Sequence, residues 1–426
     1  MLHRTKNDER KMQLARDIKK LQLELRNLIS KSKVKWWREF TGLERPWGKP
    51  YKMIVKPKRV SGVQPHLQKD TGGVTRNMAE AEEYLMRSKF PSSAPKLEIE
   101  EQPVIFHSDE VRSPVSTVEV ANVLKGSCNR SSPGSDGVSY KVLKLVNKKH
   151  PVLLSTLYTE CLKYETFPKI WKTGKVIWLL KVDKDPTAAG AYRPITLLST
   201  LGKTLERGLV NRINAVINLS PKQYGFLRGI GAEDCLHDVL EDVKKRRMSY
   251  QYTAMIALDI RGAFDHISWP HTIDELMRKG VDKKTTNIIQ SYFCERTITT
   301  SDGNRRMEFC CGCPQGSVIG PLLWDIGYDC VLEETEKKGI TSYAYADDTQ
   351  LLVSANSKEE LVQRKKEAIE VVGQKIATLN LELNKSKTEI VVLGNIIRTD
   401  PIQITGDTWE YCYHLQGMDE VPWGEN

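Results

Sequence analysis

The sequence predicts an α+β fold, and three observations predict it. The stretch Ser342-Tyr343-Ala344-Tyr345-Ala346-Asp347-Asp348-Thr349-Gln350-Leu351-Leu352-Val353 consists of two short apolar runs meeting at adjacent carboxylates, which reads as a strand, a tight turn and a returning strand. A second apolar run, Tyr252 to Leu258, ends abruptly on Asp259, as a buried strand does where it leaves its sheet. Around these strands, 138–147, 151–164, 200–217, 232–248, 319–337 and 357–380 read as helices.

Composition bounds what such a chain can be. Its 426 residues and 40% hydrophobic content suffice for two or three subdomains with their own cores, which excludes a disordered chain. No apolar stretch reaches about 18 residues and no apolar core follows Met1-Leu2-His3-Arg4, so neither a membrane span nor a signal peptide is indicated and an intracellular protein is expected. Nine cysteines, an odd number at irregular positions, fit reduced thiols. Cys310-Cys311-Gly312-Cys313 lacks a second ligand pair, and Cys412 and His414 stand isolated, so packing in a loop or strand is expected there in place of zinc.

Charge is unevenly placed. Residues 1–60 hold 18 Lys or Arg against 6 Asp or Glu, a local +12 in a chain of net +10, which leaves −2 for the remainder. A basic arm on a near-neutral body fits phosphate contact that weakens with salt, and it equally fits a solvated amphipathic helix.

In chain order, Leu14, Ile18, Leu21, Leu25 and Leu28 recur at steps of four and three, a heptad-like helix of nearly three repeats that would pack on the body or on a partner helix. Lys31 to Arg38 mixes bases with Trp36 and Trp37, which suits either stacking on unpaired bases or anchoring in a core. Residues 55–75 and 91–103 are rich in Pro, Gly, Ser and charge and read as exposed connector. The domain reading is therefore a basic helical extension over 1–60, a connector over 61–120, a main body over 121–395 and a tail over 396–426. Within the body, Ser132-Pro133-Gly134-Ser135-Asp136-Gly137 is a turn cluster and Lys175 to Lys181 a strand. Residues 296–310 form a hairpin about Asp302-Gly303, and Glu389 to Leu393 is a last strand.

The carboxylates carry the chemistry. An Asp-Asp pair alone fits an ordinary hairpin tip, and about one or two are expected by chance at this length. If both strands lie in one sheet, however, Asp259 faces Asp347 and Asp348 across neighbouring strands. Three acids repel one another unless a cation sits among them, and hard oxygen ligands select magnesium or manganese. Two such ions about 3.5–4 Å apart support in-line displacement at phosphorus, so the acids point to phosphoryl transfer.

The order of motifs resembles that of reverse transcriptases of non-LTR (LINE-type) retrotransposons. The residues that carry it are Tyr192-Arg193-Pro194-Ile195-Thr196-Leu197-Leu198, Gln223-Tyr224-Gly225-Phe226, Asp259-Ile260-Arg261-Gly262-Ala263-Phe264-Asp265, Pro314-Gln315-Gly316-Ser317-Val318-Ile319-Gly320 and Tyr345-Ala346-Asp347-Asp348. The match spans roughly 125 to 395. Arg45-Pro46-Trp47-Gly48-Lys49-Pro50-Tyr51-Lys52 is similar to the jockey-like elements, including those that insert into arthropod ribosomal DNA.

The resemblance implies a right-hand polymerase fold of fingers and palm, with an antiparallel palm sheet packed on helices and the thumb largely missing. It implies RNA-directed DNA polymerase activity on an RNA template, a DNA primer and deoxynucleoside triphosphates, in the nucleus. Asp259, Asp347 and Asp348 would be catalytic and hold two magnesium ions, or manganese, with the backbone carbonyl of Ile260 as a further ligand. Arg193, with Lys181 or Lys184, would bind the triphosphate. Phe264, five residues after Asp259, would crowd the sugar 2′ position, although a core phenylalanine fits the same place. Gln315 would touch the nucleotide, Gly316 and Tyr345 the template and primer, and Lys387 would protonate departing pyrophosphate. The likeness fades after about 395: Thr405 to Trp409 still resembles the start of a thumb, and His414-Leu415-Gln416-Gly417 departs from it. Neither an endonuclease domain nor a cysteine-rich module is evident, which suggests a polymerase core cut from a larger element or a decaying copy. The alternative is a catalytically weak or inactive nucleic-acid-binding remnant; a mobile-intron maturase lies further off.

Overall fold

Residues 31, 63–90, 114–182, 184–384 and 387–394 are described by the computed structural model. The chain divides into two compact units, Met1–Gly62 and Val63–Asn426, and the architecture below belongs to the second. The heptad-like helix, the Trp36-Trp37 pair, the Arg45–Lys52 stretch, the 91–103 connector, Thr405 to Trp409, Cys412 and His414 lie outside the described residues.

The order of elements is α1 (Met78–Lys89), α2 (Thr117–Lys125), α3 (Tyr140–Lys149), α4 (Pro151–Lys163), β1 (Thr173–Leu180), β2 (Tyr192–Leu197), α5 (Thr200–Asn214), α6 (Ala232–Ser249) and β3 (Tyr252–Leu258). There follow α7 (Ala263–His266), α8 (Trp269–Arg278), α9 (Lys283–Phe293), β4 (Thr297–Thr299), β5 (Arg306–Glu308), α10 (Gly320–Lys337), β6 (Thr341–Tyr345), β7 (Asp348–Ala355), α11 (Lys358–Thr378) and β8 (Glu389–Gly394). Mixed helices and sheets of this kind fit the expected α+β class.

Two four-stranded sheets organise the body. One has the order β6-β7-β3-β8 and is antiparallel throughout. The other has the order β2-β1-β4-β5, and its central pair, β1 with β4, runs parallel. The parallel pairing was not anticipated, because β4 has three residues and meets β1 from 124 positions away, too short and too distant to leave a periodic signal.

Helix α10 is the central helix. It is buried on nearly every side over its first three turns, covering Leu322, Leu323, Trp324, Ile326, Tyr328, Val331 and Leu332 together with Asp325 and Asp329. Its start is fixed by Glu206 of α5, a buried carboxylate that accepts from the backbone N–H of Val318 (2.5 Å) and Ile319 (3.1 Å). Unsatisfied N–H groups and the positive end of a helix dipole both favour an anion there.

Residues 63–90, inside the stretch read as connector, join the same core. Helix α1 is capped by Asn77, whose side chain accepts from the Glu80 N–H, and it buries Ala81, Leu85 and Met86. Leu67 is fully buried, and the ring of Phe90 lies 5.5 Å from that of Phe309. The Pro, Gly and Ser of 55–75 precede this helix, which is why composition suggested only exposed chain.

Candidate active site

The three acids come from neighbouring strands of the β6-β7-β3-β8 sheet. Leu258 pairs with Thr349 and Tyr345 with Asp348, so Asp259 leaves β3 beside the turn that carries Asp347 and Asp348. Asp259 and Asp347 are half-buried and Asp348 is exposed. Burial pushes the Asp347 carboxyl above the usual carboxylate range; the charges of Asp348 and Asp259 push the same way, and Arg193 opposes them. The three carboxyls therefore lie within electrostatic reach of one another. A divalent cation would relieve their repulsion, and their all-oxygen donor set fits magnesium or manganese.

The turn is held from below. Ala346 adopts a left-handed backbone, φ 60°, which costs a non-glycine residue about 1–2 kcal/mol. Its N–H donates to Gln223 Oε1 (3.2 Å), which also accepts from the Gly225 N–H (2.9 Å). The Tyr224 N–H donates to the Ala344 carbonyl and the Ala344 N–H to the Lys222 carbonyl, both at 2.8 Å. Gly225 must be glycine: a Cβ there would stand 2.1 Å from the Ala346 nitrogen.

Asp259 is braced from the other side by the segment before β8. Asn384 donates through Nδ2 to Asp259 Oδ2 (2.6 Å) and through its backbone N–H to the Asp259 carbonyl (2.7 Å). Ile260, the expected carbonyl ligand, bridges to Leu383 with its side chain buried, and Lys387 Nζ lies 3.5 Å from Asp259 Oδ2.

Cations gather opposite. Arg193 projects exposed from β2, paired with Leu179 of β1. Lys181 Nζ donates to the Gly190 carbonyl (2.9 Å), and its pKa is lowered by partial burial and by the charges of Lys89, Arg193, Lys387 and Lys184. Five bases thus share one neighbourhood, and Lys387 and Arg193 tie it to the acids.

Phe264 is half-buried within an aromatic row. Its ring lies 5.1 Å from Trp324 and meets the exposed Phe226 edge-on at 5.5 Å. Trp324 stacks on Tyr328, whose hydroxyl hydrogen-bonds Thr349 (2.7 Å). Gln315 is fixed at both ends: Nε2 donates to Asp265 Oδ1 (3.2 Å), and its carbonyl accepts from the Thr196 N–H (2.7 Å). Gly316, φ 123°, is pressed on the Thr196 carbonyl, where a Cβ would approach to 2.4 Å. Tyr345, 39% exposed, flanks the acidic turn. Asp259, Asp347, Asp348, Arg193 and Lys387 are thus tied together by strand pairing and charge, whereas Gln315 and Gly316 are held against Asp265 and Thr196. Reasoning from the sequence passed over Gln223, Asp265 and Asn384 as braces, because each acts through a partner 50 to 125 positions away.

A family model described as reverse transcriptase (RNA-dependent DNA polymerase) matches residues 180–412. A 115 kDa protein of the type-1 retrotransposable element R1DM of Drosophila melanogaster is 31% identical over 92% of this chain and 38% of its own length. The Pol polyprotein of type-1 element R1 of Bradysia coprophila is 27% identical over 94% of this chain and 40% of its own length. The RNA-directed DNA polymerase from mobile element jockey of Drosophila melanogaster is 28% identical over 66% of this chain and 32% of its own length. The chain thus spans about two fifths or less of these relatives.

Proposed function

The chain belongs to the reverse transcriptase (RNA-dependent DNA polymerase) family, and from that premise we propose that it extends a DNA primer by copying an RNA template, with deoxynucleoside triphosphates as substrates. The observation that carries the reading is the meeting of Asp259 with Asp347 and Asp348 on one sheet edge, their mutual charge opposing ionisation of Asp347, beside Arg193.

In this reading Asp259, Asp347, Asp348 and the Ile260 carbonyl hold two magnesium ions, with manganese able to replace them. When bound, such ions lower the pKa of the primer 3′-hydroxyl and neutralise charge on the triphosphate. Arg193 and Lys181 receive the triphosphate, for which a planar guanidinium is suited as a bidentate donor. Phe264, backed by Trp324, fills the space a ribose 2′-hydroxyl would need, and Gln315 touches the nucleotide. Gly316 and Tyr345 border the template and primer. Lys387, whose Nζ lies 3.5 Å from Asp259, delivers a proton to leaving pyrophosphate in this reading. The β2-β1-β4-β5 sheet and its helices correspond to fingers, the β6-β7-β3-β8 sheet to the palm. The relatives' names support a retrotransposon role, for which the nucleus is the expected compartment.

Primer extension on an RNA template tests the reading. Incorporation that requires magnesium or manganese and falls by roughly 10²-fold or more in the Asp347→Asn, Asp348→Asn double variant is expected, the scale seen when a group stabilising transition-state charge is removed. No incorporation by folded parent protein with either ion overturns it. The +12 charge over residues 1–60 favours a second reading, a nucleic-acid-binding remnant. That reading predicts salt-sensitive binding that the double variant leaves intact, with no synthesis by the parent.

A further inference from the structure

Helices α8 and α10 pack together, and their contact holds three side chains that ligate metals. His271 and Glu275 lie one helical turn apart on α8, hence on one face. Cys330 approaches them from α10. One ligand atom from each lies within 4.8 Å of the other two. Glu275 and Cys330 are buried, at 7% and 6% exposure, and half-buried His271 leaves an approach from solvent.

We propose that His271, Glu275 and Cys330 bind a thiophilic divalent cation of the zinc class. The separation of His271 Nε2 from Cys330 Sγ is 3.6 Å, close to the edge between a nitrogen and a sulfur that share a tetrahedral ion at about 2.0 and 2.3 Å. Both hydrogen bonds that Glu275 accepts from Arg278, 2.9 and 2.7 Å, fall on Oε2, which leaves Oε1 to ligate. Arg278 in turn reaches Glu333 (2.8 Å), so the carboxylate is oriented from behind as metal-binding groups commonly are.

Without the ion, His271 Nε2 sits 3.1 Å and Cys330 Sγ 3.5 Å from the Gly327 carbonyl, to which both can donate. Binding exchanges these contacts for the metal: the thiol proton leaves to solvent, the imidazole proton resides on Nδ1, and Nε2 offers its lone pair. Thiolate and carboxylate together cancel the charge of the dication, and water completes the fourth position. A sulfur and an imidazole select zinc over magnesium, the opposite preference to an all-carboxylate site. Closing this set ties α8 to α10, so the ion would act by fastening the central helix.

The test uses the full chain, freed of metal and titrated with cobalt(II) as a spectroscopic probe and then zinc(II). One equivalent of cobalt is expected to give a thiolate-to-cobalt charge-transfer band that zinc displaces, and zinc should raise the melting temperature. Cys330→Ser should abolish the band, and His271→Ala should weaken binding at least tenfold, whereas Cys128→Ser, at an exposed thiol, should leave both unchanged. Circular dichroism establishes that each variant is folded, and Glu275→Gln serves as a milder third. No band in the parent, or a band that survives Cys330→Ser, overturns the proposal. Neither result depends on primer extension, so this site and the polymerase reading stand or fall separately.

Discussion

At the scale of residues, Asp347 ionises against its own burial and the charges of Asp348 and Asp259, so its pKa is raised. Protons therefore compete with a divalent cation at higher pH than for an ordinary aspartate, and the magnesium concentration giving half-maximal primer extension should rise as pH falls. Magnesium titrations at several pH values check this. Asn384 holds Asp259 by side chain and backbone alike, and only the side-chain bond is lost in Asn384→Ala. Activity or metal affinity should fall by about 10- to 100-fold, the range for loss of a partner behind a metal ligand. Asp265, by accepting from Gln315, fixes how the amide is presented. Asp265→Ala should raise KM for nucleotide more than it lowers kcat, and in a double-mutant cycle with Gln315→Ala the two losses should not add. Asp259, Asp347 and Asp348 were legible in the sequence because each ends or begins an apolar run. Asn384 and Asp265 were not legible as braces: an amide or a carboxylate in a loop carries no mark of the partner it will meet.

At the scale of elements, the β6-β7 hairpin bears a strained turn held by a neighbouring loop. Gly225→Ala would drive a methyl into the Ala346 backbone and should impair synthesis while the protein stays folded, as primer extension beside circular dichroism would show. Helix α1 offers the complementary case. Leu85 is fully buried, so Leu85→Ala should cost about 2–5 kcal/mol in denaturant melts, which an exposed connector would not. Long helices such as α10 and α11 were legible to within a few residues, since their apolar spacing repeats over several turns. The hairpin of β4 and β5 was legible from its Asp302-Gly303 turn, but the parallel pairing of β4 with β1 that builds the second sheet was not.

At the scale of the whole molecule, α10 carries a cost in its interior. Both carboxyl oxygens of Asp325 are buried without a hydrogen-bond partner among the described residues, and burial, with the neighbouring Asp329 charge, raises its pKa to about 8. Asp329 is itself paired with Lys279. The folded protein keeps the Asp325 proton where the unfolded chain has released it, so this contribution to stability is complete below the ordinary carboxylate range. It is lost as pH rises toward 8, by at most about 1.4 kcal/mol per unit. Asp325→Asn cannot ionise and should flatten the decline in melting temperature between pH 5 and 8. The brace on Asp259 also bears on how the molecule is made. Strand β3 emerges from the ribosome well before β8, which covers its open edge, and Asn384, which grips the acid. A nascent chain halted short of that point would carry every carboxylate of the candidate site and still lack the means to aim one of them, so competence to copy should arrive only with the last strand of the sheet.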